Sequence, residues 1–254
     1  MGTWIAGAGA RRPGDNSRMT RIPPAQTLPL EFAPSTSRLP ERIAPMRPTD
    51  GQAPFDDARY FFEPWWPGVR AFVLVEDGAV RLRAEALADP TPAFPELAGV
   101  AGLVHGGGVV LDATLMVLDA RGRPSRTLLE RRLRGGGGGS VDRADRAGTA
   151  AVVASDLLYL DGTSLAGRPF GERRGELAAL LAPSPWFLAG RGFVGDGTTV
   201  AEALGAMGFR ALSARRLDAP LRTGPAGDAW YRVPVVARPR ELPPLLAVFR
   251  RLPL

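Results

Sequence analysis

The chain has 254 residues, 45% hydrophobic and 23% charged, which bounds it to one generous domain or two small ones with a real core. All of its 32 basic side chains are arginines and it has no cysteine. That excludes lysine nucleophiles, Schiff bases, disulfides, cysteine zinc sites and thiol catalysis, while a net charge of +6 favours a polyanionic partner unless the coding genome simply prefers arginine to lysine.

No apolar run approaches the roughly 20 residues of a membrane helix. Residues 1–21 carry charge without the apolar core of a signal peptide, so the expectation is a cytoplasmic protein with no membrane contact. Residues 1–44 mix Gly, Pro, Ser, Thr and Arg without a period of 2 or 3.6, which predicts a disordered, weakly basic arm with order beginning near Pro45. From Ala71, AFVLVEDGAVRLRAE predicts a hairpin turning at Glu76-Asp77-Gly78, with glycine supplying a positive φ. PTPAFPELAGVAGLV predicts a short helix after a proline-rich entry. His105, the sole histidine, precedes the loop Gly106-Gly107-Gly108 and reads as a solvated turn residue, which leaves no Ser-His-Asp relay. GGVVLDATLMVLDARGRPS predicts a second hairpin turning at Ala120 to Gly122.

Thr127 to Arg134 reads as helical and ends at five glycines, Gly135 to Gly139, either a permissive linker or a loop that slides along a nucleic-acid backbone. Ala150 to Leu160 reads as a buried strand closed by Asp161-Gly162. Arg168 to Leu181 is an expected helix with an apolar stripe at Leu177, Leu180 and Leu181, and Val200 to Met207 is another. Arg210 to Arg216 and Trp230 to Val236 read as strands, followed by a Pro/Arg-containing tail over 237–254. Hairpins, helix, strand and helix in this order argue an α+β fold with antiparallel sheets.

PMRPTDGQAPFDDARYFFE, RLRAEALADPTPAFPEL, VVLDATLMVLDARGRPS, SDLLYLDGTSLAGRPFGERR, FVGDGTTVAEALGAMGF, ARRLDAP and AWYRV occur in this order over residues 45 to 236. The ordered set resembles the adenylation domain of ATP-dependent DNA ligases, of the bacterial type related to end-joining ligases. The resemblance implies a ligase-type nucleotidyltransferase domain of packed antiparallel β-sheets flanked by helices. It also implies ATP, Mg2+ and a KxDGxR lysine that forms lysyl-AMP. The OB-fold of roughly a hundred residues that follows in such ligases is not expected in the 18 residues after Val236, unless another chain supplies it.

Mapped onto this sequence, the family's motifs are degenerate. Trp65 stands at the nucleophile and Pro67 at the motif's aspartate; Gly68 and Arg70 are kept. The arginine after the first hairpin falls at Glu85, the glutamate of the DGE motif at Thr114 after a kept Asp112, and the adenine-stacking aromatic at Ser155 beside Asp156. The metal-binding glutamate falls at Arg210 and the phosphate-gripping lysine at Arg215. The WxKxK motif reads Trp230, Tyr231, Arg232, Val233, Pro234, keeping one cation of two. An indole offers phosphorus no basic lone pair, whereas Arg215 and Arg232 preserve charge and gain fork donors. Neither a bound cofactor nor a metal site is therefore expected.

Kept Arg173-Arg174 read as helix-surface residues. The Trp65-Trp66 pair either fills a vacated nucleotide pocket or forms a stacking platform for a base. The first functional expectation is a catalytically inactive pseudo-ligase that binds nicked or duplex DNA through Arg70, Arg131, Arg132, Arg134, Arg215, Arg216 and Arg232. For Arg131, Arg132 and Arg134 the competing reading is one solvated helix face. The second is a protein-interaction module that docks on an active ligase or end-joining partner. The third is residual ligase activity, for which His105 is the one nitrogen nucleophile beyond the N-terminus.

Overall fold

The structure, a computed structural model, describes residues 39–40, 43–85, 89–135, 147–238 and 241–253. The expected arm up to residue 38 and the glycines after Gly135 lie outside these. Leu39, inside the expected arm, is buried against Phe72, Leu74, Val110 and Leu158, and its N–H donates to Glu76 at 3.0 Å.

The strands are β1 (Asp57–Pro64), β2 (Val69–Glu76), β3 (Ala79–Arg83), β4 (Gly108–Leu118), β5 (Thr149–Leu160), β6 (Phe187–Ala189), β7 (Phe193–Gly195), β8 (Ala211–Arg216) and β9 (Trp230–Pro234). The helices are α1 (Arg126–Gly135), α2 (Phe170–Leu180), α3 (Gly197–Ala206) and α4 (Leu245–Phe249). One sheet runs β3-β2-β4-β5 in antiparallel order, with Thr163–Ser164 at its edge and β6 joining β5 in parallel. The other runs β7-β1-β8-β9, antiparallel, with Thr49–Asp50 added in parallel to β9. Helices flank both sheets, as expected for this α+β class, and no OB-fold barrel lies among the described residues.

Side-chain alternation decides what each sheet buries. Ala71, Val73 and Val75 of β2 and Leu111, Ala113 and Leu115 of β4 form a core with Leu177 and Leu180 of α2. The opposite face of β4 carries Asp112 and Thr114, which look toward the second sheet. On that sheet Phe62, Leu212 and Ala214 pack with Val200, Ala201 and Leu204 of α3, so Glu63, Ser213 and Arg215 face the first sheet. Both faces of β4 are covered, which explains its near-continuous apolar run.

The first hairpin forms as expected, with Asp77 at φ +51° and Gly78 at +73°. The second does not. A turn forms at Asp119, whose carboxylate accepts the N–H groups of Arg121 and Arg123 at 2.8 and 3.0 Å, but the returning arm is one bridge between Leu118 and Pro124. The bridge rests on the Asp119 N–H to the Arg123 carbonyl and the Ser125 N–H to the Val117 carbonyl, both 2.8 Å, and the arm stops there because α1 begins at Arg126, while β4 pairs along its length with β2 and β5. The expected short helix is two 3₁₀ segments, Thr91–Ala93 and Pro95–Leu103. α3 starts three residues before Val200, at Gly197, where a Cβ would stand 2.2 Å from the Phe55 carbonyl oxygen. The segment after Val236 is part of the core: Leu245, Val248 and Phe249 of α4 and Leu252 are buried in one cluster with Trp66. No helix among the described residues is long and apolar enough to cross a membrane.

Candidate functional site

A tight four-residue connection, Trp65 to Gly68, carries the chain from β1 into β2. The Trp65 N–H donates to the Ala211 carbonyl at 3.2 Å, and the Gly68 N–H closes a turn onto the Trp66 carbonyl at 3.0 Å. A Cβ on Gly68 would lie 2.3 Å from the Leu115 carbonyl oxygen, so this turn presses directly on β4 and only glycine fits. The two indoles leave it in different directions. Trp66 stacks on Phe249 with centroids 5.4 Å apart and meets Phe209 edge-on at 5.2 Å, so it fills the core under α4. Trp65 packs beside Trp230 at 6.0 Å, with the Arg232 guanidinium 5.3 Å from its ring.

Between the sheets lies a cavity of about 60 Å³, bordered by Glu63, Trp65, Arg70, Asp112, Thr114, Ser155, Arg215 and Trp230. Its charged walls are already partnered. Arg70 forks onto Asp112 at 2.8 and 2.5 Å, donates to the Met46 carbonyl at 2.6 Å and lies 4.9 Å from the Trp230 ring. Arg173 forks onto buried Asp156 at 2.8 and 2.7 Å, and Arg215 reaches the same carboxylate at 3.2 Å and Ser155 Oγ at 3.2 Å. Glu63 stands 3.8 Å from Arg215 and 3.5 Å from Ser213 Oγ, and burial pushes its carboxyl above the ordinary range against the pull of Arg215 and Arg174. Arg174 lies 3.7 Å from the Phe61 ring and donates to the Gly190 carbonyl at 2.7 Å; burial lowers its pKa.

ATP and Mg2+ do not fit this constellation. A small-molecule pocket needs about 300 Å³ or more, the carboxylates that would hold a cation are bound to arginines, and Ser155 supplies no ring for a base.

Several expected site residues change role. Arg132, expected at the surface, is 1% exposed: it pairs with Glu96 and donates to the Gly148 carbonyl at 2.9 Å. It thus leaves both the phosphate-contact set and the alternative of one solvated face, since consecutive helical residues cannot share a face. Arg215 is buried and Arg70 is held by Asp112, so both serve as internal counter-ions rather than free phosphate contacts. Arg216 pairs with Asp218 and Asp228. Arg131, Arg134 and Arg232 are exposed. Arg173 and Arg174 are not helix-surface residues. Glu85 sits outside the cavity in an exposed pair with Arg47, and His105 is exposed as expected. Arg210, Pro67 and Arg232 border an outer cleft across the Trp65–Gly68 turn, and Pro234 pairs with Ala211 in the sheet. Glu63 escaped sequence reading; its signal was a lone acid in the apolar run Tyr60-Phe61-Phe62, where a buried charge demands a partner.

The multifunctional non-homologous end joining DNA repair protein LigD of Mycobacterium tuberculosis H37Rv is 31% identical over 193 residues, covering 76% of this chain and 24% of that protein. A probable DNA ligase of Streptomyces avermitilis is 35% identical over 175 residues, 65% of this chain and 33% of its own length. The solved structure of mycobacterial DNA ligase D complexed with ATP and MES superposes with a TM-score of 0.58 at 28% identity, over 75% of this chain and 60% of that one. The chain belongs to the ATP-dependent DNA ligase family. This ligase-family chain spans only a quarter to a third of these two curated relatives. No protein-family profile matches it. Its paired sheets are those of the ligase adenylation domain, and the pairs Arg70–Asp112 and Arg215–Asp156 occupy the space between them.

Proposed function

We propose that this ligase-family protein is a pseudo-ligase: a cytoplasmic DNA-associating repair accessory that does not form lysyl-AMP. The observation that carries the reading is Trp65 at the nucleophile position of a chain with no lysine anywhere. The loss of one nucleophilic or electrostatic group typically costs a factor of roughly 10² or more. Here nucleophile, base-stacking ring and metal acid are replaced together by Trp65, Ser155 and Arg210. The small cavity of about 60 Å³ supports the same conclusion, because the ring of Trp65 and the paired ions Arg70–Asp112 and Arg215–Asp156 crowd its walls. DNA as partner follows from the ligase and end-joining relatives and from a basic chain whose exposed arginines face solvent.

The test has two arms. Incubation with ATP radiolabelled at the α-phosphate is expected to leave no label on the wild-type protein or on Trp65→Lys, because the restored amine still lacks the base-stacking ring and the metal acid replaced by Ser155 and Arg210. A labelled wild-type adduct overturns the inactive reading. Fluorescence anisotropy with nicked and intact duplexes across a salt series is expected to show binding that weakens with salt. No binding at low salt removes DNA as the partner.

A further inference from the structure

Across the Trp65–Gly68 turn from the small cavity lies an open cleft of about 750 Å³. It is bordered by the turn after β4, the start of α1, the entry to β8, Arg232 of β9 and the segment before α4. Five arginines line it, Arg121, Arg123, Arg126, Arg210 and Arg232, against two carboxylates, Asp119 and Glu241. Asp119 is spent on its own turn, and Glu241 pairs with Arg123. Arg126 has Glu130 at 2.6 Å and Arg232 has Asp50 at 3.4 Å, both exposed pairs that an incoming anion displaces at little cost. Arg121 and Arg210 are exposed; the Arg121 guanidinium lies in the field of Asp119 without a salt bridge among the described residues. The half-buried ring of Trp65 forms part of the wall, under Arg232.

A second cleft of about 510 Å³ continues from the first, sharing Arg123, Glu241 and Leu242 and adding Arg251 and Met207. A positively charged groove with an aromatic at one end is the arrangement that tracks a single strand: phosphates lie along the cations and a base rests on the ring. The cleft volume is of the order that takes a small flexible ligand, about 300–1,000 Å³, and a duplex is far too wide to enter it.

We infer that this outer cleft holds a single-stranded nucleic-acid end, with phosphates on Arg121, Arg126 and Arg210 and a base against Trp65. The inference rests on the DNA-association reading and narrows it to a strand end outside the small cavity.

The test measures anisotropy of a 5′-phosphorylated single-stranded oligonucleotide and of a blunt duplex with the full chain and with Arg121→Glu/Arg210→Glu. Both positions are solvent-exposed, and thermal unfolding checks that the variant folds like the parent. The expected result is a loss of about tenfold or more for the single strand with duplex binding changed much less. Trp65→Phe, which keeps a ring, is expected to retain most single-strand binding, whereas Trp65→Ser loses it. Unchanged single-strand binding in the double variant, equal loss for both nucleic acids, or binding of duplex alone each overturn the cleft assignment while leaving DNA association standing. Binding of neither nucleic acid by the wild-type chain overturns both.

Discussion

Trp65 and Trp66 adjoin in sequence, yet one ring walls a cavity and the other is core, because the turn closed by Gly68 sends them to opposite sides. Trp66 is 6% exposed and its indole N–H is buried without an acceptor among the described residues. Trp66→Ala is expected to cost about 3–5 kcal/mol in urea unfolding. Trp66→Phe is expected to cost distinctly less, since it keeps a ring against Phe249 and removes an unsatisfied donor worth about 1–3 kcal/mol. Glu63 offers a pH-dependent counterpart. Burial raises its pKa above the ordinary 4.5, so between that value and the raised one the folded chain binds more protons than the unfolded chain. Stability therefore falls as pH rises through that window. Glu63→Gln removes the titration, and its thermal midpoint relative to the parent is expected to be higher near neutral pH than near about pH 4. An equal difference at both would mean that Glu63 is ionised in the folded chain with an unshifted pKa.

Among the elements, α4 is the one whose attachment most changes the picture of the chain. Phe249 of α4 stacks on Trp66 of the β1–β2 turn, so a segment that reads as a tail braces the region where the family's nucleophile would sit. A double-mutant cycle on Trp66→Ala and Phe249→Ala is expected to give a coupling of about 0.5–3 kcal/mol, read from urea midpoints; strict additivity would show the stacking to be incidental. The hairpin at Asp77-Gly78, the strand at Ala150 to Leu160 and α2 were legible because their turn residues or apolar stripes are local signals. The five residues of α4 were not, since they span little more than one helical turn inside a Pro/Arg-rich stretch and owe their helix to burial. The false second hairpin has the same origin: Leu118 and Pro124 sit at the right spacing, but the ladder partners of β4 lie tens of residues away in β2 and β5. The cavity's residue set was legible through the motif order, while its internal pairing was not, because Arg70–Asp112 and Arg215–Asp156 link positions 42 and 59 apart in sequence.

At the scale of the whole molecule, a net charge of +6 overstates how uniformly the arginines serve an outside partner. Arg132, Arg173 and Arg215 are buried and partnered inside, whereas Arg121, Arg126, Arg131, Arg134, Arg210 and Arg232 are exposed. The two groups should separate cleanly when stability and DNA binding are measured on the same variants. Arg131→Gln leaves folding almost untouched and, if Arg131 meets a phosphate, lowers the slope of log affinity against log salt by about 1. Arg215→Gln strips Asp156 and Glu63 of a shared buried counter-ion and is expected to cost about 3–5 kcal/mol of stability. At a temperature where that variant is still folded, its salt slope should match the parent's, because a side chain held between two sheets releases no counterions from DNA. A reduced slope for Arg215→Gln with unchanged stability would instead mean that the sheets open and present Arg215 to the strand.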